Sequence, residues 1–166
     1  MVVKKCVRCC GRSFVKARRV LRRVVGDADF EATVPAVKCA SCGETYVDAQ
    51  HGVLFERAVA RALAESGVVH GEALKAMRRF LGLRAKDLAP LLGVAEGTLS
   101  RWETGERPAD RAATALVGQL VLDACSGVTS TMERLRRASS HRGARTRKLD
   151  LAAEARHASR RAKGAA

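Results

Sequence analysis

Six cysteines are the residues of this chain best suited to chemistry, and four of them form two C-x-x-C pairs, Cys6 with Cys9 and Cys39 with Cys42. Two such turns can place four thiolates around one tetrahedral Zn²⁺. The gap between the pairs exceeds the commonest ribbon spacing of about 15–20 residues, but a β-hairpin can fill it. The spacing therefore predicts one zinc ion per chain, which is structural because a closed four-cysteine site leaves no position for a substrate.

The cysteine pattern leaves alternatives open. A pair of redox dithiols needs a βαβ context, and the sequence shows none around either pair. Cys10 could replace Cys9 as a ligand, although the C-x-x-C spacing favours Cys9. Cys125 lies in an apolar helical segment, and we expect it to be a buried core thiol.

Residues 81–108 have the pattern of two short helices joined by a tight turn. Leu88 supplies the inner face of the first helix, and Gly93 can adopt the positive φ that the turn requires. Leu99 and Trp102 lie on one face of the second helix and fill the core. The opposite face is left outward, and a helix presented in this way fits the DNA major groove.

The outward face and the start of the first helix supply the candidate DNA-binding residues, which are Arg84, Glu96, Thr98, Ser100 and Arg101. Arg101 is the first choice, because a guanidinium can pair bidentately with guanine. Thr98 and Ser100 could contact phosphates or simply be solvated. Gly97 offers no side chain for base reading, and Pro90 is expected to bend the first helix. A helical hairpin that mediates only protein contacts is the plainer alternative.

Charge and composition favour a nucleic-acid partner. The formal net charge is +14, and residues 127–166 hold 11 basic and 3 acidic side chains. Such a surplus indicates a polyanionic partner, with a solubilising surface as the simpler explanation.

Catalytic motifs are a separate question. The sequence shows no nucleophile–base pair, phosphate loop or open metal site, so we expect that the protein is not an enzyme.

The sequence shows neither a transmembrane segment nor a signal peptide. No run of about 18 apolar residues predicts a transmembrane helix, and the first residues lack the apolar segment of a signal peptide. We therefore expect a cytoplasmic, nucleoid-associated protein with reduced thiols.

These features divide the chain into four segments. Residues 1–50 hold the two cysteine pairs, short strands at 34–38 and 45–47, and a basic run at 16–23 followed by a turn. Helical spacing predicts a linker helix at 51–70 and a DNA-binding helical domain at 71–126. The basic composition and weak periodicity of residues 127–166 predict a flexible tail. The expected fold class is mixed: a small β-rich four-cysteine zinc ribbon, then an all-α helix-turn-helix domain and the tail.

Two segments resemble known families. Residues 88–108, with Leu92-Gly93-Val94 and Leu99-Ser100-Arg101-Trp102-Glu103-Thr104-Gly105, resemble the lambda-repressor-like (Cro/repressor, or Xre-family) helix-turn-helix domains. Together with Cys6-x-x-Cys9 and the segment from Val34 to Glu44, they resemble the MqsA-type antitoxins, whose N-terminal part is a YgiT-type zinc finger. The resemblance covers about residues 4–125.

This resemblance implies a homodimer that represses its own operon at a palindromic double-stranded operator. It further implies a cognate toxin, typically a ribonuclease, bound by residues 1–50. It matches Cys6, Cys9, Cys39 and Cys42 to the zinc ligands and Arg101 to a base-contacting arginine. The family's base-reading Asn falls on Gly97, so its operator preference does not transfer. Two alternatives are a stand-alone Xre-family regulator without a toxin, and a charge-driven RNA- or nucleoid-binding protein.

Overall fold

The computed structural model describes residues 4–140, and within them a three-stranded antiparallel sheet is followed by six helices. The strands are β1 (Phe14–Val25), β2 (Ala28–Cys39) and β3 (Thr45–Val47). The helices are α1 (Ala49–Ser66), α2 (Gly71–Phe80), α3 (Ala85–Leu88), α4 (Glu96–Thr104), α5 (Arg111–Cys125) and α6 (Ser130–Ser140), with a 3₁₀ turn at Ala89–Leu92. The predicted mixed fold class is confirmed, with a small β-hairpin carrying four close cysteines ahead of the helices.

The hairpin is longer than the sequence pattern indicated. β1 and β2 each span 12 residues and pair in register from Phe14↔Cys39 to Val25↔Ala28, across a two-residue loop of Gly26 and Asp27. The basic run at 16–23 is part of β1, where its many charged side chains mask the alternation that marks a half-buried strand. β3 pairs with the other edge of β2, so the sheet order is β1-β2-β3.

One core joins the hairpin to the helices. Apolar side chains of α1 to α5 and of the 3₁₀ turn form it together with Val25, and Leu21, Phe30 and Ala32 of the hairpin pack against it. The fully buried members include Leu63, Leu74, Met77, Leu88, Leu99, Val117 and Val121.

Polar contacts hold the hairpin loop at the start of α2. The N–H of Gly26 donates to Glu72 Oε2 at 2.5 Å. His70 is the N-cap of α2, and its Nδ1 accepts from the N–H of Ala73 at 3.1 Å. Arg23 Nη1 also donates to Glu56 Oε1 of α1 at 3.0 Å. The hairpin is thereby attached to the helical core at the end opposite the cysteines.

The segment 85–104 has the geometry expected of two short helices and a tight turn. α3 ends at Leu88 and continues as the 3₁₀ turn that contains Pro90, because proline cannot supply the N–H of a regular helix. Gly93 then adopts a φ of 69°, which lets the chain reverse into α4. Arg78 and Glu103 form a buried bidentate ion pair (Nε–Oε1 2.5 Å, Nη2–Oε2 2.7 Å) that fixes α4 against α2.

The remaining predicted segments are placed as follows. α1 occupies most of the predicted linker helix at 51–70, and its Phe55, Val59 and Leu63 lie in the core. Residues 130–140 of the predicted tail form α6, and residues 141–166 lie outside the described part of the chain. None of the helices within residues 4–140 combines the length and the apolar character needed to cross a lipid bilayer.

Candidate metal centre and nucleic-acid interface

The four cysteines of the two C-x-x-C pairs converge at the open end of the hairpin. The Sγ atoms of Cys6, Cys9, Cys39 and Cys42 all lie within 4.8 Å of one another. Two of the separations, Cys6–Cys42 and Cys9–Cys39, are 3.6 Å. Four sulfurs at about 2.3 Å from a tetrahedral Zn²⁺ would be about 3.8 Å apart, so the four thiols could hold such an ion.

The two cysteine turns have the same backbone hydrogen bonds. In the first turn the N–H of Cys6 donates to Gly11 O and the N–H of Cys10 donates to Cys6 O. In the second turn the N–H of Cys39 donates to Glu44 O and the N–H of Gly43 donates to Cys39 O. The pairing of Phe14 with Cys39 at the end of the β1–β2 ladder brings the two turns together.

Cys10 occupies the position in the first turn that Gly43 occupies in the second. Its φ of 62° matches the φ of 77° at Gly43, and Cys10 is the only non-glycine residue with a positive φ in residues 4–140. The Cys10 thiol is exposed and does not belong to the four-sulfur cluster. Cys9 is thus the residue whose sulfur lies in the cluster, in agreement with the preference of the C-x-x-C spacing.

Hydrogen bonds to sulfur favour the thiolate at two of the four positions. The hydroxyl of Tyr46 donates to Cys6 Sγ at 3.0 Å and accepts the N–H of Val7 at 3.0 Å. The Tyr46 hydrogen bond lowers the pKa of Cys6 to about 6. The backbone N–H of Cys42 lowers the pKa of Cys39. A thiolate is the form that binds metal.

Cys9 shows the opposite tendency. The N–H of Gly11 lowers the pKa of Cys9, but the neighbouring sulfurs of Cys42 and Cys39 and the loss of solvent raise it to about 12. Thiolates this close repel one another, and a divalent cation at the centre would remove that repulsion. The donor set and its charge thus suit a soft divalent metal bound in a closed, structural site.

The predicted DNA-binding residues of α4 lie on one side of a helix that is packed by its other side. Leu99 and Trp102 are buried, whereas Glu96, Ser100 and Arg101 are exposed and Thr98 is half-buried. The Arg101 side chain folds back along the helix, with Nε donating to Gly97 O at 3.2 Å. It is free of acidic partners among the ion pairs of residues 4–140.

Arg84 stands at the N-cap of α3, away from the α4 residues in sequence but in the same helical unit. Its Nε donates to Asp87 Oδ2 at 2.7 Å, and this contact holds the pKa of Asp87 below its usual range. The Asp87 carboxylate also accepts the N–H of Arg84 at 3.3 Å, and so caps a helix whose N-cap residue has no acceptor side chain.

Sequence reasoning missed three contributors to these sites. They are the Tyr46 hydroxyl, the His70 cap and the Arg78–Glu103 pair. Tyr46 is close to Cys42 in sequence, but the sulfur that its hydroxyl contacts is that of Cys6, 40 positions away. The residues of the ion pair are 25 positions apart in sequence, so that no local pattern connects them.

This chain matches a known protein family. A family model described as "Antitoxin component of bacterial toxin-antitoxin system, MqsA" matches residues 4–124. This match confirms the resemblance to MqsA-type antitoxins stated from the sequence. A search of curated proteins and a search of solved structures found no significant match.

Proposed function

The chain belongs to the MqsA family of antitoxin components of bacterial toxin–antitoxin systems, and from this premise we propose that it is a zinc-containing, DNA-binding antitoxin that represses its own operon. In this proposal residues 1–50 bind the cognate toxin, and a homodimer reads a palindromic operator through α4 of each subunit. The described residues carry the proposal through two sites, the cysteine cluster and the outward face of α4.

The observation that supports DNA reading most directly is the placement of α4. Leu99 and Trp102 anchor it in the core, and the ion pair of Glu103 with Arg78 fixes it on α2. A reading helix must be held rigidly while its other face enters the major groove. Glu96, Ser100 and Arg101 are exposed on that face.

Zinc is the metal proposed for the cysteine cluster. Four thiolates in a tetrahedral arrangement select zinc or iron–sulfur chemistry, and a single closed site of this size fits one zinc ion. All four protein ligands would be used, so the ion stabilises the fold and takes part in no reaction. Metal analysis of the purified chain should give one zinc per chain.

The test of the proposed function is binding to the DNA upstream of the gene and its toxin neighbour. Fluorescence anisotropy with that fragment, in excess random DNA, separates sequence-specific binding from charge-driven binding. We expect Arg101→Ala to weaken specific binding by about 1–3 kcal/mol, because a bidentate contact to a base is lost.

Arg61→Ala is the matched control. Arg61 lies on α1 and pairs with Glu65 of its own helix, so its loss changes the net charge equally at a surface unconnected with α4. The control should bind the operator like the parent chain. Equal losses in both variants, or binding abolished by random competitor DNA, would contradict sequence-specific reading by α4.

A further inference from the structure

β1 leaves one edge of the sheet open. It is the outermost strand in the order β1-β2-β3 and spans 12 residues. A long edge strand offers a row of backbone N–H and C=O groups to any other strand, and proteins usually shorten, cover or charge such edges. Here the edge is long and carries charge.

The register identifies which groups face the open edge. Val25 and Ala28 flank the two-residue loop and form the first hydrogen-bonded pair, after which bonded and non-bonded pairs alternate. Val24↔Asp29 and every second pair beyond it are therefore non-bonded. Between Lys16 and Val24, the N–H groups that point away from β2 are those of Lys16, Arg18, Val20, Arg22 and Val24.

Two observations agree with this assignment. Pro35, which has no N–H, stands opposite Arg18 in a non-bonded pair, where it removes no bond to β1. Outside the β1–β2 ladder, none of these five outward N–H groups has a backbone partner within residues 4–140. Among residues 4–140, no other strand pairs with this edge, so it can accept a further strand.

The side chains of these five residues indicate the chemistry of a strand that could pair with the open edge. The five residues with outward N–H groups are three basic ones and two valines, and Val20 and Val24 are 48% and 67% exposed. β1 contains five basic residues and no acidic residue. A second copy of β1 would place these charges opposite one another, and like charges directly opposite destabilise a strand pair.

Nucleic acid fits the same face less well. Asp29 and Glu31 lie on β2 beside Val24 and Arg22, and Glu31 forms an ion pair with Arg22. A phosphate backbone would meet these carboxylates, whereas a strand placed on the far side of β1 would be separated from them by β1 itself. The exposed valines also suit a protein strand better than a sugar–phosphate chain.

We propose that the cognate toxin docks by adding an acidic β-strand to the open edge of β1. This proposal rests on the proposed function, which supplies the toxin. Backbone hydrogen bonds give such strand addition its affinity, and the alternating side chains give it specificity. The toxin strand would present Asp or Glu to Lys16, Arg18 and Arg22, and apolar residues to Val20 and Val24.

The first experiment measures toxin affinity by calorimetry with the full-length zinc-loaded chain and the toxin encoded beside it. The double variant Lys16→Glu/Arg18→Glu should bind the toxin at least about tenfold more weakly, because attraction becomes repulsion. Arg134→Glu/Arg136→Glu makes the same change in charge on exposed positions of α6 and should leave the affinity unchanged.

The second experiment tests the backbone. Val20→Pro removes one outward N–H but no β1–β2 bond, whereas Val20→Thr keeps the N–H in a good strand former. The Pro variant should lose toxin binding and the Thr variant should keep it. Hydrogen exchange of the parent chain should show that toxin binding protects the N–H groups of Val20 and Arg22.

The outcomes separate this proposal from the proposed function. If the parent chain does not bind the toxin, both the antitoxin function and this inference are overturned. Tight toxin binding with equal affinity for the Glu double variant, and without new protection in β1, overturns only the strand addition. Loss of operator binding or of self-association in the Glu variant, with toxin binding intact, would assign the edge to DNA or to a second copy and overturn the inference.

Discussion

A single hydroxyl connects the third strand to the first cysteine turn. Tyr46 lies in β3, donates to Cys6 Sγ and accepts the N–H of Val7, so it fixes a sulfur and the turn that carries it. Its ring packs edge-on against Phe14 at a centroid distance of 6.0 Å. Loss of a partner that orients a metal ligand typically costs about 10- to 100-fold in metal affinity.

Tyr46→Phe isolates this contribution, because it keeps the ring contact with Phe14 and removes only the hydroxyl. We expect metal to leave the variant about 10- to 100-fold more readily, measured as the rate of zinc transfer to a coloured chelator. Retained helicity in far-ultraviolet circular dichroism would show that the fold persists. A transfer rate equal to that of the parent chain would mean that the hydroxyl does not support the site.

At the scale of elements, the approach of α2 to α4 depends on a missing side chain. A Cβ added at Gly71 would lie 1.8 Å from the carbonyl oxygen of Trp102, which is inside any permissible contact. Gly71 also follows the His70 cap directly. The first residue of α2 must therefore be glycine if α4 is to keep its position.

Gly71→Ala should lower the free energy of unfolding by about 1–3 kcal/mol, because backbone must move to relieve the overlap. Gly52→Ala provides the contrast, since Gly52 lies inside α1 and a Cβ there meets nothing within 4 Å. That variant should gain up to about 1 kcal/mol from helix propensity. Urea unfolding of both proteins checks the pair, and equal shifts of the midpoint would refute the close approach.

For the whole molecule, we expect the metal to stabilise the cysteine end of the hairpin more than the helical core. The cysteine cluster closes the open end of the hairpin, while Val25 at the loop end is part of the helical core. Cys39→Ser should release the metal and disorder the cysteine turns but leave the helices folded. Acid should do the same, because protons compete with the metal for thiolates.

Cys10→Ser is the control for that prediction, since the Cys10 thiol is exposed and outside the cluster. Metal analysis should find zinc retained in Cys10→Ser and lost in Cys39→Ser, with similar helical circular dichroism in both. Stoichiometric zinc in Cys39→Ser would overturn the ligand set. Unfolded helices in that variant would show that the metal supports the whole chain.

The sequence predicts what is local and misses what is distant. The C-x-x-C spacings and the Gly93 turn each depend on a few neighbouring residues, so the cysteine turns and the short helices could be read directly. The C-x-x-C spacing also favoured Cys9 over Cys10, and Cys9 is the residue whose sulfur lies in the cluster. β1 was hidden because its charges obscure the strand pattern, and the Arg78–Glu103 pair depends on how α2 and α4 pack.

The position of the two-residue loop also sets an order of events in folding. A hairpin forms most readily from its turn, because the shortest loop has the smallest entropic cost of closure. Pairing would start at Val25↔Ala28 and reach Phe14↔Cys39 last. The two cysteine turns meet only when the strands have paired along their whole length. A newly made chain would therefore acquire its metal after the hairpin has formed. The metal would then close the free end of a sheet whose other end already packs on the helices.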